Sequence, residues 1–249
     1  MYLKMALRAL RHAWWRAVAR NTLNAYERKV FSQNGEDGIV GEIFRRIGAT
    51  DRFFVEFGVE AGLECNCAFL ARRSGWSGVM IEGNPGFFRQ LDANYAQLPG
   101  IKRVQAFITR ENIAAIFEQA GVPREFDLLS IDIDGNDYWI WEALAAYRPR
   151  VLVIEYNATR PPPERWVMAY DAAHRWNDDG YAGASLASLE ALGHRLGYAL
   201  IGTEEKGINA FFLRSDVLAA SGFPQLTAQR AFHRNGYGMQ RKDGPFVAV

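Results

Sequence analysis

The feature that most constrains the fold is a glycine-containing turn at the end of an apolar run. Residues 53–62 read Phe-Phe-Val-Glu-Phe-Gly-Val-Glu-Ala-Gly. The Phe and Val residues predict a buried parallel strand. Gly58 then allows the backbone to approach a ligand closely, and Gly62 allows a helix to begin nearby. The stretch therefore predicts a strand and turn that form a nucleotide-type cradle.

A second apolar run, residues 78–82, ends in Glu82. It follows the glycine turn by about 20 residues, the distance at which an acid can bind both hydroxyls of a ribose. We therefore expect a nucleoside-containing cofactor with Glu82 at its ribose. Gly58, Glu60 and Gly62 are expected to line the cofactor, and Glu56 to orient the loop.

Composition indicates an ordinary globular protein. The 249 residues are 49% hydrophobic and 23% charged, which suits one large α/β domain with additions. The net charge of +1 gives no reason to expect a nucleic-acid partner. Cys65 and Cys67 are too close in sequence for a comfortable disulfide and are expected to be reduced core residues. A reducing cytoplasm is the expected location.

Strand and helix patterns alternate along the chain. Asn84 and Pro85 predict a helix start, a third strand is predicted over residues 104–108, and a helix over 112–120 is closed by Gly121. Such alternation is typical of a doubly wound parallel sheet.

Polar side chains end the next two predicted strands. Asp132 and Asp134 end the fourth, and Glu155 and Asn157 end the fifth. Because neighbouring parallel strands end at one edge of a sheet, these side chains are expected to share a small volume. Oxygen ligands of this kind suit Mg²⁺, Mn²⁺ or Ca²⁺. The sequence thus predicts a divalent metal site at Asp132, Asp134, Glu155 and Asn157.

Three motifs resemble those of a known family. Glu-x-Gly-x-x-x-Gly over residues 56–62 looks like motif I of class I S-adenosylmethionine (SAM) dependent methyltransferases. Ser-Gln-x-Gly-Glu-Asp over residues 32–37 resembles the opening motif of FkbM-type methyltransferases, and the later Gly-x-Asn-Ala-Phe-Phe resembles part of their C-terminal half. The resemblance implies a Rossmann-like class I methyltransferase fold: a mostly parallel seven-stranded sheet, helices on both faces and an antiparallel last strand. It implies that Gln33, Asn34 and Glu36 fold over SAM, and Asp132 is added to the expected cofactor contacts.

The strand-end acids are also similar to those of metal-dependent catechol O-methyltransferases. Asp132 matches the first acid and Glu155 the second, whereas Asn157 is shifted by one residue from the amide position. The implied activity is O-methylation of a hydroxyl on a sugar, glycan or related small molecule. A metal would lower the pKa of that hydroxyl, and without metal Asp134 or His174 would act as base.

Three segments are predicted: a basic amphipathic helix over 1–28, a methyltransferase domain over 29–217 and a C-terminal extension over 218–249. In the first, Leu3, Leu7, Leu10, Trp14 and Val18 recur at helical spacing beside several arginines. Two interpretations remain open for it: packing on the domain or a second subunit, or peripheral contact with an anionic membrane.

Two other functions compete with methyl transfer. A scaffold of the same fold without turnover would be recruited through residues 1–28. A metal-dependent hydrolase would use the acids between Asp132 and Asp137 and would need no SAM. The hydrolase leaves the glycine turn and Glu82 unexplained.

Overall fold

The computed structural model describes residues 22–177 and 179–249. Seven strands form the central sheet: β1 (Phe53–Phe57), β2 (Ser77–Glu82), β3 (Ile101–Gln105), β4 (Glu125–Ile131), β5 (Arg148–Glu155), β7 (Tyr198–Thr203) and β8 (Asn209–Arg214). Two short strands, β6 (Val167–Met168) and β9 (Phe246–Val247), pair with each other outside it.

The helices lie between these strands. They are α1 (Glu36–Ile47), α2 (Ala68–Arg73), α3 (Pro85–Tyr95), α4 (Ile113–Ala120), α5 (Asp137–Ala143), α6 (Leu186–Leu196), α7 (Ser215–Ser221) and α8 (Ala228–Ala231), preceded by a 3₁₀ turn at Leu23–Tyr26. The predicted caps are present: the Asn84 side chain accepts N–H bonds at the start of α3, and Gly121 ends α4 in a left-handed conformation.

The strand order is β3-β2-β1-β4-β5-β8-β7. The first five strands are parallel to one another, and β8 runs antiparallel to both of its neighbours. This topology confirms the Rossmann-like class I methyltransferase fold. Its consequence for function is that β1, β2, β4 and β5 all end at the same edge of the sheet.

Side chains alternate between two buried layers. Along β1, Phe54 packs in the layer that includes Ile39 and Val40 of α1, whereas Val55 packs in the layer that includes Ile113 and Leu189 on the other face. Helices therefore cover both faces of the sheet, as predicted.

The third strand begins earlier than predicted. β3 pairs with β2 from Ile101 to Gln105, so that Gln105 is the register partner of Glu82. Beyond this point the chain leaves the sheet and brings Phe107 beside Gly83, where a Cβ built on the glycine would lie 3.1 Å from the ring. The apolar residues that suggested a strand over 104–108 thus serve partly as a wall beyond Glu82.

The chain termini bear on two of the predicted segments. Residues 1–21 of the predicted basic helix lie outside the described residues. The C-terminal segment returns to the domain, where β9 pairs with β6 and Tyr237 donates a hydrogen bond to the Asn34 side chain. No helix in the described ranges has the length and apolar character needed to cross a bilayer.

Candidate cofactor and acid site

The glycine turn is fixed against the ends of two neighbouring strands. Gly58 has φ +74°, and a Cβ built on it would lie 1.6 Å from the main-chain oxygen of Asp132, which follows β4. The Gly58 N–H donates to the Ile81 carbonyl of β2 at 3.2 Å. Only glycine can occupy this position, because any side chain would collide with backbone.

Glu82 is joined directly to the turn. Its buried carboxylate accepts the N–H of Glu60 at 2.8 Å and that of Asn84 at 2.6 Å. Glu60 itself has φ +49°, so its N–H faces Glu82 at the expense of an uncommon backbone conformation. The structure thus brings Gly58, Glu60 and Glu82 together, as the cofactor interpretation requires.

Gly62 has a different environment from that expected. It is buried with φ +69°, and a Cβ there would lie 2.6 Å from both Leu91 and Tyr95 of α3. The Tyr95 hydroxyl donates to the Gly62 carbonyl at 2.6 Å. The absence of a side chain therefore serves packing against α3, and the expected contact of Gly62 with a cofactor stays a prediction.

Glu56 connects β1 to the segment that leads into α2. Its buried carboxylate accepts the N–H groups of Asn66 at 2.7 Å and Cys67 at 2.8 Å, and burial raises its pKa. Cys65 and Cys67 are free and buried beside it, and burial likewise raises the pKa of both thiols.

The N-terminal motif connects several parts of the chain. Glu36 is fully buried and accepts the Asn34 N–H at 2.8 Å and the Asn209 side-chain amide at 3.0 Å. Asn34 in turn accepts the Tyr237 hydroxyl, whereas Gln33 is exposed. The motif is thus held between β8 and the C-terminal segment.

Three of the predicted metal ligands come together. One carboxylate oxygen each of Asp132, Asp134 and Glu155 lies within 4.8 Å of the others, and all three residues are half-buried. Within residues 22–177 and 179–249, no hydrogen-bond donor and no basic side chain pairs with these carboxylates. Three unpaired acids at this spacing fit an oxygen-ligated divalent ion.

Asp137 shapes the loop that carries two of these acids. Its buried carboxylate accepts the N–H groups of Ile133 and Gly135, both at 2.9 Å. Asp134, between them, has φ +53°. The strand therefore stops at Ile131. Asp134 lies beside Asp132 because the Asp137 carboxylate holds the turn that contains Asp134.

Loss of water around the acids and their mutual repulsion favour the protonated forms. Burial and then Asp134 raise the pKa of Asp132 well above its ordinary value, and burial and then Asp132 do the same for Glu155. Burial, followed by Asp137 and Glu60, raises the pKa of Asp134 to about 6. Burial and repulsion between like charges thus act in the same direction on all three carboxyl groups.

The segment between β5 and α6 reaches the same loop. Asn136 exchanges hydrogen bonds with the backbone of Asp171, and the His174 Nε2 lies 3.1 Å from the main-chain oxygen of Asp134. His174 is thus brought beside the acids. Its ring contacts the loop backbone, however, and not one of the three carboxylates.

Asn157 is held away from metal ligation. Its amide nitrogen donates to the carbonyls of Gly180 and Ala182, and its oxygen accepts from the Thr159 N–H at 3.0 Å and hydroxyl at 2.6 Å. With both amide ends engaged in the loop, we leave Asn157 out of the ligand set. Asn209, which the sequence singles out only within its Gly-x-Asn-Ala-Phe-Phe motif, is the register partner of Glu155 across β5 and β8.

Comparisons with known proteins give similarity only among solved structures, since no protein-family model and no curated protein matches the chain. The N-terminal domain of EvdMO1 with SAH bound is 15% identical over 74% of this chain and 80% of that chain, with a TM-score of 0.48. A proposed caffeoyl-CoA O-methyltransferase from Staphylococcus aureus is 14% identical over 86% and 100%, with a TM-score of 0.48. A proposed O-methyltransferase from Klebsiella pneumoniae is 15% identical over 70% and 76%, with a TM-score of 0.46. At these values the comparisons identify no activity.

Proposed function

We propose that this protein is a SAM-dependent O-methyltransferase that acts on a hydroxyl of a sugar, glycan or related small molecule, with a divalent cation at Asp132, Asp134 and Glu155. The observation that carries the proposal is the junction of Gly58, Glu82 and Asp132. A backbone cradle, a ribose-type acid and an acid cluster meet there at one edge of the sheet.

The residues at this junction fit SAM. Gly58 leaves backbone exposed at the turn, and Glu82 keeps acceptor capacity beyond its two backbone bonds for ribose hydroxyls. Phe107 stands beside Gly83, with the Arg175 guanidinium 3.3 Å from the centroid of its ring, so together they form a wall beyond Glu82. Glu36 and Asn34 close the side of the site nearest to β8. When bound, SAM would supply an activated methyl group.

The acids fit the need to activate a hydroxyl. A divalent cation held by Asp132, Asp134 and Glu155 would supply positive charge that lowers the pKa of a nearby hydroxyl. Without a cation, Asp134 would instead be the candidate to accept the proton, since burial, followed by Asp137 and Glu60, raises its pKa to about 6. His174 supports the Asp134 backbone, so we assign it a positioning role first and a proton-accepting role second.

The acceptor would bind against the segment between β5 and α6. This segment carries the half-exposed Trp176. It also carries Tyr170, whose ring packs edge-to-face against Trp139 of α5. Aromatic rings of this kind support a sugar-like acceptor, because apolar sugar faces pack against them. We therefore favour a glycosidic or polyhydroxylated small molecule over a macromolecular acceptor.

Calorimetric titration of the purified protein with SAM and SAH tests the proposal, with and without Mg²⁺ after dialysis against a chelator. Binding of either ligand in the micromolar range is the expected result. Metal-dependent heats would support the cation site. Failure of both ligands to bind under every condition would reject the transferase and favour the scaffold, or the hydrolase if the metal alone binds.

A further inference from the structure

We infer that the side-chain oxygen of Asn209 is a fourth ligand of the divalent cation at Asp132, Asp134 and Glu155. The inference rests on the metal site of the proposed function, and it adds a ligand from a part of the chain with no acidic motif. It also joins the metal to Glu36 of the N-terminal motif.

The sheet register places Asn209 beside the acids. Asn209 begins β8 directly opposite Glu155 at the end of β5, in an antiparallel pair. Residues opposed in this way project from the same face, with Cβ atoms about 4.5–5.5 Å apart. Their neighbours two positions away, Phe211 and Val153, both pack in the buried layer on the α1 side. Both side chains therefore project toward the face that α1 covers.

The amide of Asn209 has one end engaged and one end without a partner. Its nitrogen donates to the Glu36 carboxylate at 3.0 Å, so the amide oxygen is the other end. That oxygen is buried, on a residue only 2% exposed, and meets no donor within the described ranges. Buried amide oxygens rarely remain unpaired, so the atom indicates a missing ligand.

Two other buried side-chain atoms lack partners in the described part of the chain, Asp37 Oδ1 and Arg160 Nε. Each belongs to a group whose other atoms are already bound: the second Asp37 oxygen accepts the N–H groups of residues 30–32, and Arg160 pairs with Asp243. Neither is the register partner of a cluster acid. Asn209 therefore stands apart from them by its position.

The chemistry of an amide oxygen suits a fourth ligand of the cation. Mg²⁺, Mn²⁺ and Ca²⁺ accept amide and carboxylate oxygens together. A neutral oxygen adds a ligand without adding charge to acids that already repel one another. Asn157, the amide expected from the sequence, is engaged at both ends by its own loop and cannot fill this place.

The test is a Mn²⁺ titration of the chelator-treated full-length protein without SAM. Asn209→Ala should weaken Mn²⁺ binding by about tenfold or more. Gln119→Ala, which removes an exposed side-chain amide on α4, should leave it unchanged. Asp132→Asn should abolish it. Equal affinity in Asn209→Ala and wild type would overturn the inference and leave the three-acid site intact. If the wild type bound no Mn²⁺, the metal site itself would be rejected. The proposed methyltransferase activity would then be tested separately by titration with SAM.

A second measurement needs no variant and so does not depend on whether Asn209→Ala folds. In a crystal of the wild-type protein with Mn²⁺, the anomalous peak should lie within about 2.6 Å of Asn209 Oδ1. An ion that is bound by the three carboxylates but lies farther from this oxygen would overturn the inference.

Discussion

Gly58 and Asp132 meet where β1 and β4 end, so closely that a methyl group on Gly58 would lie 1.6 Å from the Asp132 carbonyl oxygen. Gly58→Ala should therefore destabilise the protein in two ways. Alanine would have to adopt a left-handed backbone conformation at φ +74°, and its methyl group would collide with the Asp132 carbonyl. We expect a loss of about 2–5 kcal/mol in the free energy of unfolding, measured by urea denaturation, together with weaker SAM binding.

Gly121 supplies the matched control. It has φ +75°, and nothing lies within 4 Å of a Cβ built on it. Gly121→Ala should therefore cost only the backbone term, about 1–2 kcal/mol. If the two variants lost the same stability, the contact between Gly58 and Asp132 would not be rigid in solution.

Glu82 is the strongest single test of the cofactor site. Its carboxylate is oriented by the N–H groups of Glu60 and Asn84, which leaves it in place to accept ribose hydroxyls. Since a hydrogen bond to a charged group contributes about 1.5–3 kcal/mol, Glu82→Ala should weaken SAM binding by at least about tenfold. Glu82→Gln, which keeps one acceptor, should have a smaller effect in the same calorimetric titration.

Glu118→Ala, on the exposed surface of α4, controls for loss of a negative charge and should bind SAM as the wild type does. Unchanged affinity in Glu82→Ala would remove the ribose assignment. Thermal melting of each variant separates loss of binding from loss of folding.

Glu42 on α1 provides a pH dependence that is independent of the site. Hydrogen bonds from Arg45 and then Arg46 lower the pKa of this carboxyl from 4.5 to about 2. Because the folded-state pKa is the lower one, the stabilisation is complete above pH 4.5 and is lost as the pH falls toward 2. Glu42→Gln should lose about 1–3 kcal/mol at pH 7, and the difference from wild type should shrink between pH 4.5 and 3. A difference that stayed constant over this range would contradict the ion-pair origin.

Much of the fold could be predicted because its signals are local. The Asn84 cap, the Gly121 end of α4 and the acid at the end of β2 each depend on residues within a few positions. The third strand was displaced because the apolar residues around Phe107 contact Gly83 instead of continuing the sheet. A hydrophobic pattern alone does not distinguish these two uses.

The site was predicted less completely for a physical reason. Asp132 and Glu155 follow from strand ends, which are readable in sequence, whereas the turn bound by Asp137 places Asp134 beside them. Asn209 lies beside Glu155 only because β8 is inserted between β5 and β7, a long-range pairing with no local signal. Asn157 was chosen for its nearness in sequence to Glu155, yet the chain turns after residue 155 and its amide binds the loop instead.

Glu155→Gln should change stability and metal binding in opposite directions. In chelator, the substitution removes a carboxylate that is withdrawn from water and repelled by Asp132 and Asp134, so the free energy of unfolding should rise by about 0.5–2 kcal/mol. In the presence of Mn²⁺ the wild type should gain stability from binding, whereas Glu155→Gln should gain little. Urea denaturation of both proteins with and without Mn²⁺ measures the two effects together. A structural acid would behave differently: its removal would lower stability in chelator, and Mn²⁺ would affect both proteins equally. A variant that is more stable than the wild type in chelator and less stable in Mn²⁺ would therefore indicate that Glu155 binds the cation and does not merely support the loop.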